Sequence, residues 1–316
     1  MAGITMDKWI EDVGVDDHTS DVARRALEER FAAVEHFLPL AAWHAEDDVE
    51  YVHELRVWSR RTNEALGLFA ELLPRRRLAW AKKQLKRARR AANDARDFDV
   101  LLRRLAQEQA APEVLAEVRR ERAFAQRPIV ALYKRFRRNH QFRRRLDELL
   151  RRVRPRGKNG AASGGQRFGD WARTSLRPIV ENFFAAMPDD WTDEAAVHQL
   201  RIRGKELRYA MELLAGAFPA EFRDDLYPIV KTLQDKLGEI EDWATAQSRL
   251  QNRIEETSDS EEVQRLKLLL SDEEGRLARA RAAFLQWCTP RRWDDLRLRF
   301  ARLLTQHHLH ADGAPM

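Results

Sequence analysis

Basic side chains recur at helical spacing in two segments of this sequence. In the first segment, His53, Arg56 and Arg60 fall within a wedge of about 60° when residues are placed 100° apart around a helix. In the second segment, a wedge of about 80° is shared by His198, Arg201, Lys205 and Arg208. Guanidinium, ammonium and imidazole groups in such stripes can donate hydrogen bonds to phosphate oxygens. The pattern therefore indicates a surface that binds a polyanion.

A further basic stretch follows the first stripe. Residues 75–90 include nine basic residues and no acid, and Lys82, Lys86 and Arg89 share one helical stripe. Like charges at these spacings repel each other, which costs stability unless an anion compensates for them. A solvated helix face usually interleaves acids with bases, so the absence of acids within the stripes favours a binding role.

The two basic segments belong to an internal repeat. A shift of 145 positions aligns residues 53–105 with residues 198–250 without a gap. The shift pairs His53 with His198 and Lys86 with Lys231, whereas Arg208 has no basic counterpart in the first half. The repeat predicts that the two stretches superpose as equivalent helices and that both histidines face a shared central cavity, lined unequally by the two halves.

The elements that must position these residues are predicted to be helices, so the fold class is all-α. Apolar spacing is helical almost throughout, and no period-2 strand pattern is present. The predicted helices span residues 19–43, 47–73, 76–92, from 97 onward, 112–125, 128–152, 168–187, 193–217, 221–237, 239–256, 258–288 and 291–306. Asn93 and Gly238 occupy matched positions in the repeat and are predicted to end one helix before another begins near Asp97 and Asp242.

The predicted domain organisation places one helical half on each side of a linker rich in Gly, Ser, Pro and Arg. Its parts are an N-terminal tail (1–18), a first half (19–153), the flexible linker (154–167), a second half (168–308) and a C-terminal tail (309–316).

Composition limits the class of protein further. The chain has 316 residues, a net charge of +6 and a pI near 9.6, which favours an anionic partner without naming one. Cys288 is the only cysteine, so no intramolecular disulfide can form. The sequence shows neither a signal peptide nor an apolar run of about 18 residues that would span a membrane. We therefore expect a cytoplasmic protein with no membrane partner.

Catalytic and metal chemistry is not predicted. Neither stripe holds the additional His, Cys or carboxylate ligands that a metal site needs. No phosphate-binding Walker-type loop is present to supply a nucleotide for phospho-histidine chemistry. We therefore expect no catalytic residue, no metal and no cofactor, and a binding protein rather than an enzyme.

Three segments carry a family resemblance: VHELRVWSRR (52–61), ARDFDVL (95–101) and VHQLRIRGKELRYAMEL (197–213). They resemble the CHAD family, the conserved histidine α-helical domain. The resemblance implies two helical bundles related by a pseudo-two-fold axis around a central basic pore that holds inorganic polyphosphate. It also implies that the protein could be located at polyphosphate granules, as some members are. The ExExK signature of the CYTH domain, to which many members are fused, is absent, so the chain resembles a stand-alone member.

Carried over residue by residue, the resemblance assigns polyphosphate binding to both stripes and to positions on the following helices. These positions are His53, Arg56, Arg60, Lys82, Lys86, Arg89, His198, Arg201, Lys205, Arg208 and Lys231. If both histidines contact phosphate, affinity is expected to rise as the pH falls through their titration.

Three other functions stay open from the residues alone. Nucleic acid, bound without sequence specificity, would explain the charge equally well, although the stripes lack interleaved aromatic residues for stacking. A hydrolase or phosphotransferase acting on phosphate chains would need a carboxylate cluster for Mg²⁺ that the stripes do not provide. The third is a helical adaptor for acidic proteins. The sequence does not determine the oligomeric state.

Overall fold

The computed structural model describes residues 6–107, 111–153, 166–257 and 259–305. All regular secondary structure in these ranges is helical, which confirms the all-α prediction. The chain divides into two compact units, Met1–Trp171 and Ala172–Met316. No helix in the described ranges is long and apolar enough to cross a membrane. Most of the predicted linker (residues 154–165), part of the N-terminal tail (1–5), and the end of the second half with the whole C-terminal tail (306–316) lie outside the described residues.

Six helices lie wholly in the first unit, and a seventh contains the boundary between the units. They are α1 (Thr19–Trp43), α2 (Glu50–Leu68), α3 (Arg75–Gln107), α4 (Pro112–Ala125), α5 (Arg127–Arg137), α6 (Gln141–Leu150) and α7 (Phe168–Ala185). The apolar face of α2 that opposes the basic stripe is buried, including Leu55, Trp58 and Leu66. The basic stripe is therefore directed away from the core, as the helical spacing predicts.

The second unit contains the rest of α7 and four further helices. These are α8 (Glu194–Leu214), α9 (Tyr227–Glu256), α10 (Ser260–Trp287) and α11 (Pro290–Thr305). Asp193 caps α8, because its carboxylate accepts hydrogen bonds from the backbone N–H groups of Ala195 and Ala196. Leu200 and Leu207 are buried on the face of α8 opposite its basic stripe.

The predicted helix breaks at Asn93 and Gly238 are wrong. Both residues lie inside long continuous helices, α3 and α9. In α3 the buried stripe of Ala88, Ala92 and Ala95 continues through the predicted break, so packing favours an unbroken helix over the weak terminating preference of one asparagine. The acid Asp97 consequently lies within α3 and does not cap a new helix.

The single helix predicted over residues 128–152 is also wrong. The structure divides this region into α5 and α6, with a short 3₁₀ turn at Arg138–His140 between them. His140 has a φ of 52°, a left-handed conformation that an α-helix cannot continue through. The break lets Phe142 stack on Phe136 with ring centroids 4.1 Å apart, and buries Leu146 and Leu149.

A glycine permits close contact between α8 and α9. A Cβ atom added to Gly204 would lie 2.0 Å from Nε2 of Gln234 and 3.4 Å from Cε2 of Phe183. Gly204 and Gln234 are both buried, so the amide of Gln234 occupies the space that any larger residue at position 204 would need. By contrast, a Cβ atom at Gly238 in α9 would meet no atom within 4 Å.

We predict that Gly204→Ala destabilises the protein, by about 1–3 kcal/mol, although alanine has the higher helix propensity. In the background of Gln234→Ala, the same Gly204→Ala substitution should cost little, because the obstructing amide is gone. Gly238→Ala is the matched control and should stabilise by up to about 1 kcal/mol. Unfolding followed by circular dichroism measures these differences. A stabilising Gly204→Ala would contradict the close contact, and a destabilising Gly238→Ala would contradict the continuous α9.

Candidate anion-binding site

In the first unit, the basic stripe of α2 lies beside α3. Nη1 of Arg56 donates a hydrogen bond to the backbone carbonyl oxygen of Asn93 at 3.3 Å, and lies 3.7 Å from Oδ1 of Asp97. The side chain of Arg56 is only 24% exposed. Its contacts with α3 therefore hold the guanidinium in a fixed, partly desolvated position.

Other arginines surround Arg56. Burial lowers the pKa of Arg56, Asp97 opposes this effect, and the positive charges of Arg60, Arg96 and Arg89 lower the pKa further. Arg56 and Asp97 thus lie among several guanidinium groups in a partly water-excluded place, where charges interact more strongly than in bulk water. One of these groups, Arg96, also pairs with Glu50, with Nη1 3.4 Å from Oε1. The arrangement leaves an excess of positive charge between α2 and α3.

Ion pairs elsewhere on the stripes of α2 and α3 do not neutralise this excess of positive charge. Arg60, Lys82 and Lys86 form no ion pair within the part of the chain that the structure describes. Lys82 faces α2, since its Nζ atom lies 3.8 Å from the point where a Cβ on Gly67 would be. We call the whole group the first basic cluster; its members are His53, Arg56, Arg60, Lys82, Lys86, Arg89 and Arg96.

His53 is kept neutral more strongly than an ordinary histidine. Burial lowers its pKa, the positive charge of Arg96 lowers it further, and Glu50 and Glu54 oppose these effects. Glu50 is itself engaged, because its Oε1 atom accepts a hydrogen bond from Arg103 at 2.8 Å. At neutral pH, His53 therefore adds a hydrogen-bonding ring rather than a positive charge to the first basic cluster.

In the second unit, an acid from α9 occupies the position next to the stripe histidine. Nδ1 of His198 lies 3.0 Å from Oε1 of Glu241. Glu241 is the counterpart of Arg96 under the shift of 145 positions. At this matched position, the two stripe histidines thus have neighbours of opposite charge.

Arg208 is held in a buried network. Its Nη1 atom donates to Oε1 of Glu212 at 2.9 Å, and the hydroxyl of Tyr227 donates to the same oxygen at 2.7 Å. Burial and the charge of Glu212 raise the pKa of Tyr227 to about 12. Glu212 is almost fully buried, so the positive charge of Arg208 is balanced inside the unit.

The remaining cations of the second stripe also have acids nearby. Nζ of Lys231 lies 2.6 Å from Oδ2 of Asp235. Arg201 and Lys205 both act on the pKa of Asp242, which burial raises and their positive charges lower. We call the group His198, Arg201, Lys205, Arg208 and Lys231 the second basic cluster. Unlike the first, it is close to neutral once its acids are counted.

The comparisons with known proteins agree with this fold. A family model described as the CHAD domain matches residues 25–251. The chain belongs to the CHAD domain family. The crystal structure of the CHAD domain from the plant Ricinus communis is similar, with 22% identity, a TM-score of 0.58, and coverage of 92% of this chain and 94% of that one. PptA from Streptomyces chartreusis is similar at 18% identity and a TM-score of 0.57, with 86% of this chain and 100% of that one covered. No curated protein sequence matches the chain.

The structure of this CHAD domain sorts the predicted residues into two groups of unequal charge. Those of the first half gather on α2 and α3, and those of the second half on α8 and α9. The expectation that acids are absent from the stripes is wrong for the second unit. Glu212 follows Arg208 by one turn of α8, and Asp235 follows Lys231 by one turn of α9. Glu241 of α9 meets His198 of α8 only through the packing of the two helices.

Two functional neighbours were missed from the sequence. Arg96 lies seven positions after Arg89, so it continues the stripe of α3, but the predicted break at Asn93 hid this continuity. Glu241 was missed for the same reason in α9. Within the described residues, no group of three or more His, Cys, Asp and Glu side chains could hold a metal ion.

We predict that Arg96→Gln raises the pKa of His53, because it removes the positive charge that lowers that pKa most. The pKa should stay below its ordinary value since burial is the larger cause. The matched control is Arg90→Gln, at an exposed position on another face of α3, which should leave the pKa of His53 unchanged. An NMR titration of the imidazole resonances measures both variants. An equal response to the two substitutions would show that Arg96 has no specific effect on His53.

Proposed function

We propose that this CHAD domain binds inorganic polyphosphate and that the first basic cluster provides most of the affinity. The observation that carries the proposal is the excess of positive charge around Arg56. Asp97 lies beside Arg56, and Glu50 is shared by Arg96 and Arg103. Arg60, Lys82 and Lys86 form no ion pair with any residue that the structure describes. Such a cluster is costly in the unliganded protein and is relieved when an anion binds.

Polyphosphate fits this cluster chemically. It repeats a negative charge along an unbranched chain and carries no bases, so a binder needs only a fixed array of cations. The guanidinium group of arginine can donate two parallel hydrogen bonds to phosphate oxygens, while lysine supplies a compact positive charge. Because Arg56 is already held by α3, little conformational freedom is lost when phosphate binds.

The second basic cluster contributes less in this proposal. A polyanion must compete with Glu241 for His198 and with Asp235 for Lys231, and it gains little from Arg208, whose charge is balanced by Glu212. The family resemblance extends the proposal to one polyphosphate chain held by both clusters in a central pore, and to a location at polyphosphate granules.

We predict that the double reversal Arg56→Glu/Arg60→Glu weakens polyphosphate binding by more than about 2 kcal/mol, because each change removes an attraction and adds a repulsion. The matched double reversal in the second unit, Arg201→Glu/Lys205→Glu, should have a smaller effect, because acids already balance the neighbouring His198, Arg208 and Lys231. Isothermal titration calorimetry with polyphosphate of defined length, at fixed ionic strength, measures the differences.

The matched control for net charge is Arg144→Glu/Arg151→Glu. Both arginines are exposed at α6 or its C-terminal end, and the pair changes the net charge of the chain by the same amount. If the control weakens binding as much as the double reversal, diffuse charge suffices and the cluster is not the site. Titration of duplex DNA beside polyphosphate tests the alternative function, because tighter binding of DNA would favour a nucleic-acid-binding protein.

We also propose that the protein binds polyphosphate without hydrolysing it. The acids nearest the clusters are engaged: Glu241 with His198, Glu212 with Arg208, and Asp235 with Lys231. These acids are therefore not assembled as a carboxylate cluster for Mg²⁺.

We predict no release of orthophosphate above a protein-free control when the protein is incubated with polyphosphate and Mg²⁺. Addition of a chelator should leave the binding isotherm unchanged, because the proposed contacts need no metal. A colorimetric phosphate assay gives the first result and calorimetry the second. Phosphate release that disappears in a His53→Gln/His198→Gln variant would reverse the proposal and indicate a hydrolase or phosphotransferase.

A further inference from the structure

The second unit contains a cavity of about 760 Å³ between the beginning of α8 and the helices α9 and α10. Its volume lies within the range of about 300–1,000 Å³ that is usual for sites that bind small molecules. Along α9 the lining extends from Ile240 to Asn252, a length of about 18 Å at 1.5 Å per residue. The cavity is therefore long enough for an extended molecule.

One end of the cavity is apolar. Trp191 and Phe284 form part of its wall, with their rings in contact and the centroids 4.8 Å apart. Val197 and Ile240 add buried aliphatic surface, and Leu285 lines the same end while 44% exposed. An apolar group placed here would be removed from water together with these side chains, which is favourable.

Most of the charged groups in the wall are already paired. His198 contacts Glu241, and Nη2 of Arg281 donates to Oε1 of Glu194 at 2.9 Å. These pairs fix side chains of the cavity wall, and together they supply little net charge for a ligand.

Arg249 and Asn252 are different. They lie one helical turn apart on α9, at the end of the lining furthest along that helix from Ile240. Neither side chain forms a hydrogen bond or ion pair with any residue that the structure describes. Arg249 and Ile240 are nine residues apart, which corresponds to about 14 Å along the helix. The cavity thus has an apolar end and a cationic end.

We propose that this cavity binds a small amphipathic carboxylate, with its apolar chain between Trp191, Phe284 and Leu285 and its carboxylate on Arg249 and Asn252. A guanidinium and an amide together offer several N–H donors to a carboxylate, whose single negative charge matches the one unpaired cation. The largely apolar wall is unsuited to polyphosphate. This site goes beyond the proposed function and does not depend on it.

Decanoate is a suitable probe. In isothermal titration calorimetry with the full-length protein, decanoate should bind with a stoichiometry of one. Two control ligands should bind at least tenfold more weakly: acetate, which lacks the apolar chain, and 1-decanol, which lacks the charge. Arg249→Glu should also weaken decanoate binding at least tenfold. Arg265→Glu, on an exposed part of α10 outside the cavity, is the matched control and should leave it unchanged.

A second pair of variants tests the cavity without altering charge. Ala278→Trp fills the space from α10 and should abolish decanoate binding, whereas Ala301→Trp on the exposed face of α11 should not. Circular dichroism confirms that each variant is folded, and polyphosphate titration should give unchanged affinity for Ala278→Trp. Absence of decanoate binding to the unmodified protein, or binding that survives both Arg249→Glu and Ala278→Trp, would overturn the proposal. Either result would leave polyphosphate binding by the first basic cluster unaffected.

Discussion

The position of the Arg56 guanidinium between α2 and α3 is the constraint on which the first unit depends. Its hydrogen bond to the carbonyl of Asn93 needs α3 to continue as a helix at that point, and its partial burial needs the two helices to lie close together. Small residues allow this: Ala88, Ala92 and Ala95 form the buried stripe of α3 directly beside the basic one. The packing that buries the alanines therefore also concentrates the positive charge.

Concentrated charge of one sign lowers the stability of a folded protein unless a partner compensates for it. In the first unit this cost corresponds to a lowered pKa of both Arg56 and His53. Burial is the main cause of each shift; neighbouring cations add to it and neighbouring acids oppose it. The folded state binds a proton at His53 less tightly than the unfolded chain does. His53 therefore lowers the stability of the folded protein as the pH falls through 6.5, the ordinary pKa of histidine. A bound polyanion would reverse that effect locally.

The second unit uses matched positions differently. Glu241 stands where the first half has Arg96, and Gln234 stands where it has Arg89. The amide of Gln234 occupies the space beside Gly204 rather than reaching outward as a cation. His198, Arg208 and the exposed Lys231 each have an acidic partner, so most of the positive charge of the second basic cluster is balanced within this unit. The same α-helical framework thus supports a strongly cationic face in one unit and a balanced one in the other.

The sequence by itself determined the helical class, the buried face opposite each basic stripe, and the residues that form the stripes, because all three follow from the 3.6-residue period of the helix. The sequence also contains the motifs that predict membership of the CHAD family. Tertiary packing decided where helices end, since the buried alanines of α3 outweighed the terminating preference of Asn93, and His140 broke a helix that spacing alone would continue. Packing also decided which charges meet. Arg96 and Glu241 lie more than forty residues from the histidines they face, and a separation of that kind has no signature in helical periodicity.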